Sequence, residues 1–177
     1  MSELSDFRAE VDDIMQFHPQ SPLDGQQQAD FEGLNYYDEN EALVFKVEVE
    51  RLPETEPLLE METSTGDVQP FRRWGRFTFT VDGEEATLTI YSDPHGHEFF
   101  MPFRDATSGK ETYGAGRYLD DNRPGLQQLE GNRFEIDFNY AYNPYCAYNE
   151  YYSCPLPPAE NWLKVPIRAG EKNYKTD

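Results

Sequence analysis

Hydrophobic and polar residues follow two periods along this chain. Near its start, Leu4, Phe7, Val11, Ile14 and Met15 recur at helical spacing, the stripe of a short amphipathic helix that Ser2 or Ser5 is placed to cap. Ser21-Pro22-Leu23-Asp24-Gly25 ends that period, and a polar linker of glutamines follows. From Leu43 the period falls to two. Leu43, Phe45, Val47 and Val49 alternate with Val44, Lys46, Glu48 and Glu50, a strand with one dry face and one largely wet face. Residues 58–63 read as a second strand, bounded by Pro53, Pro57 and the turn Ser64-Thr65-Gly66-Asp67. Residues 76–81 and 86–91 form a hairpin around Asp82-Gly83, a pair suited to a tight turn. Asp93-Pro94-His95-Gly96 turns the chain into a strand over 98–103. After a loop at 105–109, residues 111–119 are strand-like but studded with glycine, 125–132 read as a turn, and 134–142 as a last strand.

Many short strands with closely spaced turn signals predict a mainly β protein. The expected architecture is an antiparallel β-barrel or sandwich, with a short N-terminal α-helix and a Pro/Tyr-rich C-terminal strap. One domain is expected over residues 1–177, with 1–30 packed as helix and linker on the β core. Composition adds an environment. Against 34 acidic residues stand 15 basic ones, for a net charge of -19, while 15% of residues are aromatic. Such a field repels nucleic acid and anionic membranes, so neither is expected as a partner. Acidity, few lysines and a packed core match the cytosol of a salt-accumulating halophile, where the screening length is roughly 3 Å at 1 M salt. An acidic mesophile protein is the alternative. No apolar run nears the roughly 20 residues needed to span a bilayer, and the first residues lack the order of a signal peptide. A soluble, cytoplasmic protein is expected.

Candidate chemistry gathers late in the chain. On a strand over 134–142, Glu135, Asp137, Asn139 and Ala141 share one face, and on 111–119 Glu111, Tyr113, Ala115, Arg117 and Leu119 share another. If these strands are neighbours, Arg117 reaches Asp137 or Glu111 as a fork on a carboxylate, either as a structural network or as the floor of a pocket. Gly114 and Gly116 lack the third glycine and the helix of a dinucleotide fingerprint, and instead mark a bulge or room for a bulky neighbour. Cys146 and Cys154 read as two buried thiols, a disulfide across the loop, or a reactive cysteine; two ligands alone do not complete a zinc shell. His95 and His97 are the compact metal-like cluster, but they sit at a turn where polar residues are expected anyway. The prolines of Pro155-Leu156-Pro157-Pro158 hold an extended strap that brings Glu160 and Asn161 beside Trp162.

A set of motifs carries a family resemblance. It includes Phe31-x-Gly33-Leu34-x-Tyr36-Tyr37, Pro102-Phe103-Arg104-Asp105-x-Thr107-Ser108-Gly109, Glu111-Thr112-Tyr113-Gly114-Ala115-Gly116-Arg117-Tyr118-Leu119, Ala141-Tyr142-Asn143-Pro144-x-Cys146-Ala147-Tyr148 and Cys154-Pro155-Leu156-Pro157-Pro158-x-Glu160-Asn161. With these the chain resembles the domain of unknown function 1684 family of bacteria and archaea over nearly its whole length. The resemblance implies a mostly β domain and supplies no activity and no cofactor. The first functional expectation is a β-barrel-like binding protein for a small polar or anionic ligand. Arg117, Tyr113, Asp137, Asn139, Tyr142, Asn143, Tyr148 and Asn161 would line its site. The second is a hydrolase- or isomerase-type enzyme in the same pocket, with Glu111, Asp137 or Glu160 as base and Arg117 stabilising negative charge. No cofactor and no resident metal are expected; His95 and His97 are the weak metal candidates.

Overall fold

The computed structural model describes residues 2–174 and places two antiparallel sheets against one hydrophobic core. Helix α1 spans Glu3–Phe17, and its start is a reciprocal cap: each of the Ser2 and Ser5 hydroxyls accepts the other's backbone N–H, at 3.1 Å. Leu4, Val11 and Met15 face inward, whereas Ile14 is exposed. The expected glutamine linker is instead a second short helix, α2 (Gly25–Ala29). Its signal is Asp24-x-x-Gln27, whose side chains satisfy each other's backbone N–H groups.

Strand β1 (Val44–Glu48) joins a three-stranded sheet, and β2 (Glu50–Arg51) joins the larger one. The single alternating run therefore changes sheets at Val49, whose side chain is buried at the crossing. Strand β3 (Leu59–Glu62) and β2 both pair with the long β4 (Val68–Val81), which turns back into β5 (Glu84–Ser92). Asp82 and Gly83 take φ of 50° and 82°, the left-handed pair that a two-residue hairpin needs. A bulge between Arg73 and Gly75 resets the alternation of β4, so Trp74 and Phe77 are both buried.

Strands β6 (Phe99–Phe103) and β7 (Arg117–Asp120) complete this sheet. The smaller sheet has the order β1, β9 (Arg133–Asp137), β8 (Leu126–Gln128). Rings span the interface: Phe45 meets Phe79 at 5.1 Å, and Trp74 meets Phe134 at 5.4 Å. The sheets do not close, so of the two expected architectures this is the sandwich-like one.

Three strand expectations need correction. Residues 111–116 form a loop, in which the Thr107 carbonyl accepts the N–H groups of Lys110, Glu111 and Thr112. Gly116 explains the glycine: its φ is +108°, and a Cβ there would lie 2.5 Å from the Phe103 carbonyl oxygen. The supposed turn at 125–132 contains β8, with Leu126 fully buried. The strand expected to reach residue 142 stops at Asp137, whose carboxylate accepts the Asn139 N–H at 2.9 Å and caps a 3₁₀ turn, Phe138–Tyr140.

The strap runs beside the extension of β6, with the Arg104 N–H on the Asn161 carbonyl and the Leu163 N–H on the Arg104 carbonyl. It seats Val165 and Ile167 in the core. Helix α1 packs elsewhere: Val11, Met15 and Leu23 form a satellite cluster with Tyr148. Among the described residues no helix is long and apolar enough to cross a membrane.

Candidate functional site

Arg117 is the largest of the fully buried side chains, 1% exposed. Its Nη2 pairs with Asp105 at 3.3 Å and donates to the Ile167 carbonyl at 2.7 Å, while Nη1 donates to the carbonyls of Ala169 and, at 3.2 Å, Glu171. Asp105 also accepts the Thr107 hydroxyl at 2.7 Å and the Ile167 N–H. The guanidinium thus ties residues 167–171 to β7. The expectation that Arg117 faces Asp137 or Glu111 across a pocket is corrected, because those residues are on neither a neighbouring strand nor its own. Glu111 lies on the preceding loop, accepting the Tyr37 hydroxyl at 2.9 Å and pairing with Arg168. These two donors hold its carboxyl below the usual range, Arg168 foremost.

The other nominated polar residues are mostly committed to the fold. Asn139 closes a ring with the backbone of Asn40 and the carboxylate of Asp137. Asp137 also edges a small polar hollow shared with Glu3 and Glu135. Glu160 receives Arg73 Nε at 2.9 Å and the Tyr91 hydroxyl. Asn161 sits between β5 and β6, where its amide accepts the Thr89 N–H at 2.8 Å and donates to the Thr89 and Pro102 carbonyls at 2.9 Å. The register Tyr91↔Phe100 extends to Thr89 opposite Pro102, which has no N–H to give, and Asn161 supplies the missing donor. Glu111, Asp137 and Glu160 thus each accept hydrogen bonds within the fold, and none of them is the carboxylate that Arg117 pairs with.

Asn143 and Tyr148 converge on a residue that the sequence reading missed. Glu171 is buried, with Oε1 accepting the Asn143 N–H at 3.1 Å and Oε2 accepting Asn143 Nδ2 at 2.9 Å together with the Tyr148 hydroxyl. Burial pushes its carboxyl up to about 7, outweighing these donors. Among the described residues Asn143 Oδ1 has no hydrogen-bond partner.

An open cleft lies next to this network. Tyr118 on β7 and Tyr142 exchange backbone hydrogen bonds at 2.8 and 3.1 Å, and their rings meet edge to face at 5.8 Å. Tyr145 and Tyr152, 5.3 Å apart and also edge to face, face them from the loop carrying the cysteines. These four rings, with Asp120, Asn122, Arg123, Ser153, Cys154 and flanking prolines, bound a cleft of about 340 Å³. An adjoining hollow of about 250 Å³ shares Tyr118, Asp120, Asn122 and Tyr142, and is floored by Phe71, Phe99 and Phe100. Asp120 accepts the Tyr142 hydroxyl and the Asn122 N–H. Burial, then Asp120, raises the Tyr142 phenol far above its ordinary range, so it stays a neutral donor.

Arg123 lies over the Tyr142 ring at 3.7 Å, and among the described residues it makes no hydrogen bond and no ion pair. Of the residues nominated from sequence, Tyr142 lines this cleft. Tyr113 is turned toward Cys146, its hydroxyl 3.5 Å from Sγ. Arg123, Tyr118, Asp120, Tyr145 and Tyr152 line the cleft and were not among the residues nominated from sequence. His95 and His97 are exposed on their turn, rings 6.1 Å apart, their N–H groups held by Asp93. Among the described residues no group of three or more potential ligands is placed to hold a metal ion.

A family model described as "Protein of unknown function (DUF1684)" matches residues 29–172. The fold is similar to the solution NMR structure of an uncharacterized protein of Haloarcula marismortui. The two are 32% identical, the match covers 96% of this chain and 92% of that one, and the TM-score is 0.70. No curated protein matches the chain.

Proposed function

The chain belongs to this family of proteins of unknown function, and we propose that it is a binding protein whose tyrosine-walled cleft receives a small anionic ligand with a planar apolar body. The observation carrying this reading is Arg123. A guanidinium held over an aromatic ring is already ordered, and its N–H groups have no hydrogen-bond partner among the described residues. An anion docking there gains charge-assisted hydrogen bonds without first breaking an ion pair, and little side-chain entropy remains to be lost. The rings of Tyr118, Tyr145 and Tyr152 offer faces and edges to an apolar body, while the Asp120 carboxylate accepts hydrogen bonds from the Tyr142 hydroxyl and the Asn122 N–H. A net charge of -19 repels anions at long range, so a local fixed cation is what such a ligand requires. We infer further that the acidic surface suits multimolar salt, a reading supported by the similarity to a protein of Haloarcula marismortui.

Benzoate and inorganic phosphate serve as probes at fixed high salt. Titration is followed by the NMR signals of the Arg123 side chain, with Arg123→Gln as the control variant. Benzoate is expected to shift the Arg123 Nε–H signal. Arg123→Gln should weaken binding by roughly thirtyfold, the equivalent of about 2 kcal/mol for charge-assisted hydrogen bonds. Equal affinity in the variant, or shifts that bypass Arg123 for both probes, would overturn the assignment.

A further inference from the structure

The loop that walls the cleft contains a feature that anion binding does not use. Cys146 and Cys154 are both free. They sit at the two ends of a loop closed on itself: the Cys146 N–H donates to Cys154 Sγ at 3.2 Å. The Cys154 end is anchored in turn, since its N–H donates to the Ser64 hydroxyl and its carbonyl accepts the Ser64 N–H. The two thiols differ in setting. Cys154 is buried at 6% exposure, whereas Cys146 is partly exposed and has the Tyr113 hydroxyl 3.5 Å from its sulfur.

We propose that Cys146 and Cys154 form a peroxide-reactive dithiol, in which Cys146 is the attacking sulfur and Cys154 resolves the product into an intramolecular disulfide. The inference is independent of the cleft ligand. A thiolate is the nucleophile in this chemistry, and its formation depends on the hydrogen bonds it receives. At Cys146 the donors are the Cys154 thiol, first in importance, then the Tyr113 hydroxyl; they hold its thiol below the ordinary range, while Cys154 retains its proton. The more accessible sulfur is therefore also the one whose thiol is shifted down.

In the first step the Cys146 thiolate attacks an oxygen of a hydroperoxide. An S–O bond forms, the O–O bond breaks, and the leaving oxygen departs with its electron pair and is protonated from the Tyr113 hydroxyl or water. Cys146 is oxidised by two electrons to the sulfenic acid, and the peroxide is reduced to an alcohol or water. In the second step the Cys154 sulfur attacks Cys146 Sγ. The S–S bond forms, the S–O bond breaks, and hydroxide leaves with the Cys154 proton as water. Bringing the sulfurs to a bonding distance of about 2 Å is a movement inside one short loop whose ends already touch. An external thiol reverses the reaction by disulfide exchange.

The test treats the reduced full-length chain with a small molar excess of hydrogen peroxide at neutral pH, in the presence or absence of dimedone. Remaining thiols are then capped with a maleimide, and intact and peptide masses are read. In the folded protein both thiols should disappear together, leaving a monomer lighter by two hydrogens, about tenfold faster than in the urea-unfolded chain. Dimedone, added at early times, should label Cys146 and not Cys154. Cys154→Ser should accumulate the labelled sulfenic acid, and Cys146→Ser should keep its remaining thiol. The early-time labelling of the wild-type chain is decisive even if either variant folds poorly. Persistence of both thiols, labelling at Cys154, or disulfides only between chains would overturn the proposal.

Discussion

Replacing Arg117 by leucine should be among the most damaging single changes available to this fold. The leucine would leave Asp105 with the Thr107 and Ser108 hydroxyls and the Ile167 N–H, but with no counter-charge, at a site where the two side chains are 1% and 0% exposed. It would also strip the carbonyls of Ile167, Ala169 and Glu171 of the donor they share. Removing one member of a buried pair costs about 3–5 kcal/mol, and the upper end applies because several buried acceptors lose their partner together. With a urea dependence of about 2 kcal/mol per molar, the unfolding midpoint should fall by roughly 2 M. Arg117→Lys keeps the charge but cannot spread it over a carboxylate and three carbonyls, so it should recover less than half of the loss. Urea unfolding at constant salt, followed by tryptophan fluorescence, measures both. Arg117→Leu and Asp105→Asn should also be non-additive in the double variant, because they share one pair. A midpoint within about 0.3 M of wild type for Arg117→Leu, or strict additivity, would refute the argument.

Three further outcomes follow from individual contacts. Glu171 has its folded-state carboxyl raised to about 7 against an ordinary value of 4.5, so the folded chain holds a proton that the unfolded chain releases between those values. Stability should therefore be fullest below about pH 4.5 as far as this group is concerned, and fall by on the order of 3 kcal/mol as pH rises through 7; a Glu171→Gln variant whose pH slope matched wild type would contradict this. Asn161→Leu should cost about 2–4 kcal/mol, measured by urea unfolding, because it leaves the Thr89 N–H and the Thr89 and Pro102 carbonyls unpaired; a loss under about 0.5 kcal/mol would show that β5 and β6 close without it. With a net charge of -19, the melting temperature should climb steadily with KCl from the millimolar to the molar range, and a flat profile would remove the halophile reading.

Several parts of the fold were legible in local order because their causes are local. The α1 stripe, the Asp82-Gly83 hairpin and the proline-held strap depend on neighbours a few residues away, where periodicity and backbone preference operate. Asp24-x-x-Gln27 was equally local and carried a readable helix signal. The site was less legible for a different reason. Parity assumes an unbroken strand, and two interruptions broke it: the loop at 111–116 and the cap by Asp137. Arg117 was singled out as a fork on Asp137 or Glu111, whereas its carboxylate partner is Asp105. Asp105 lies only twelve residues away, yet it meets Arg117 because β6 and β7 pair around an intervening loop, and alternation along one strand carries no information about such loops. Arg123 shows the same limit at the cleft. In the sequence it is one charged residue among several, and its place over Tyr142, with no hydrogen bond or ion pair among the described residues, emerges only in the fold. The sequence by itself determined the periods, the turns, the acidic surface and which side chains were available for chemistry, because those are properties of short segments and of totals. Tertiary structure alone decided which of them are partnered, since burial and pairing depend on distances between residues far apart in the chain.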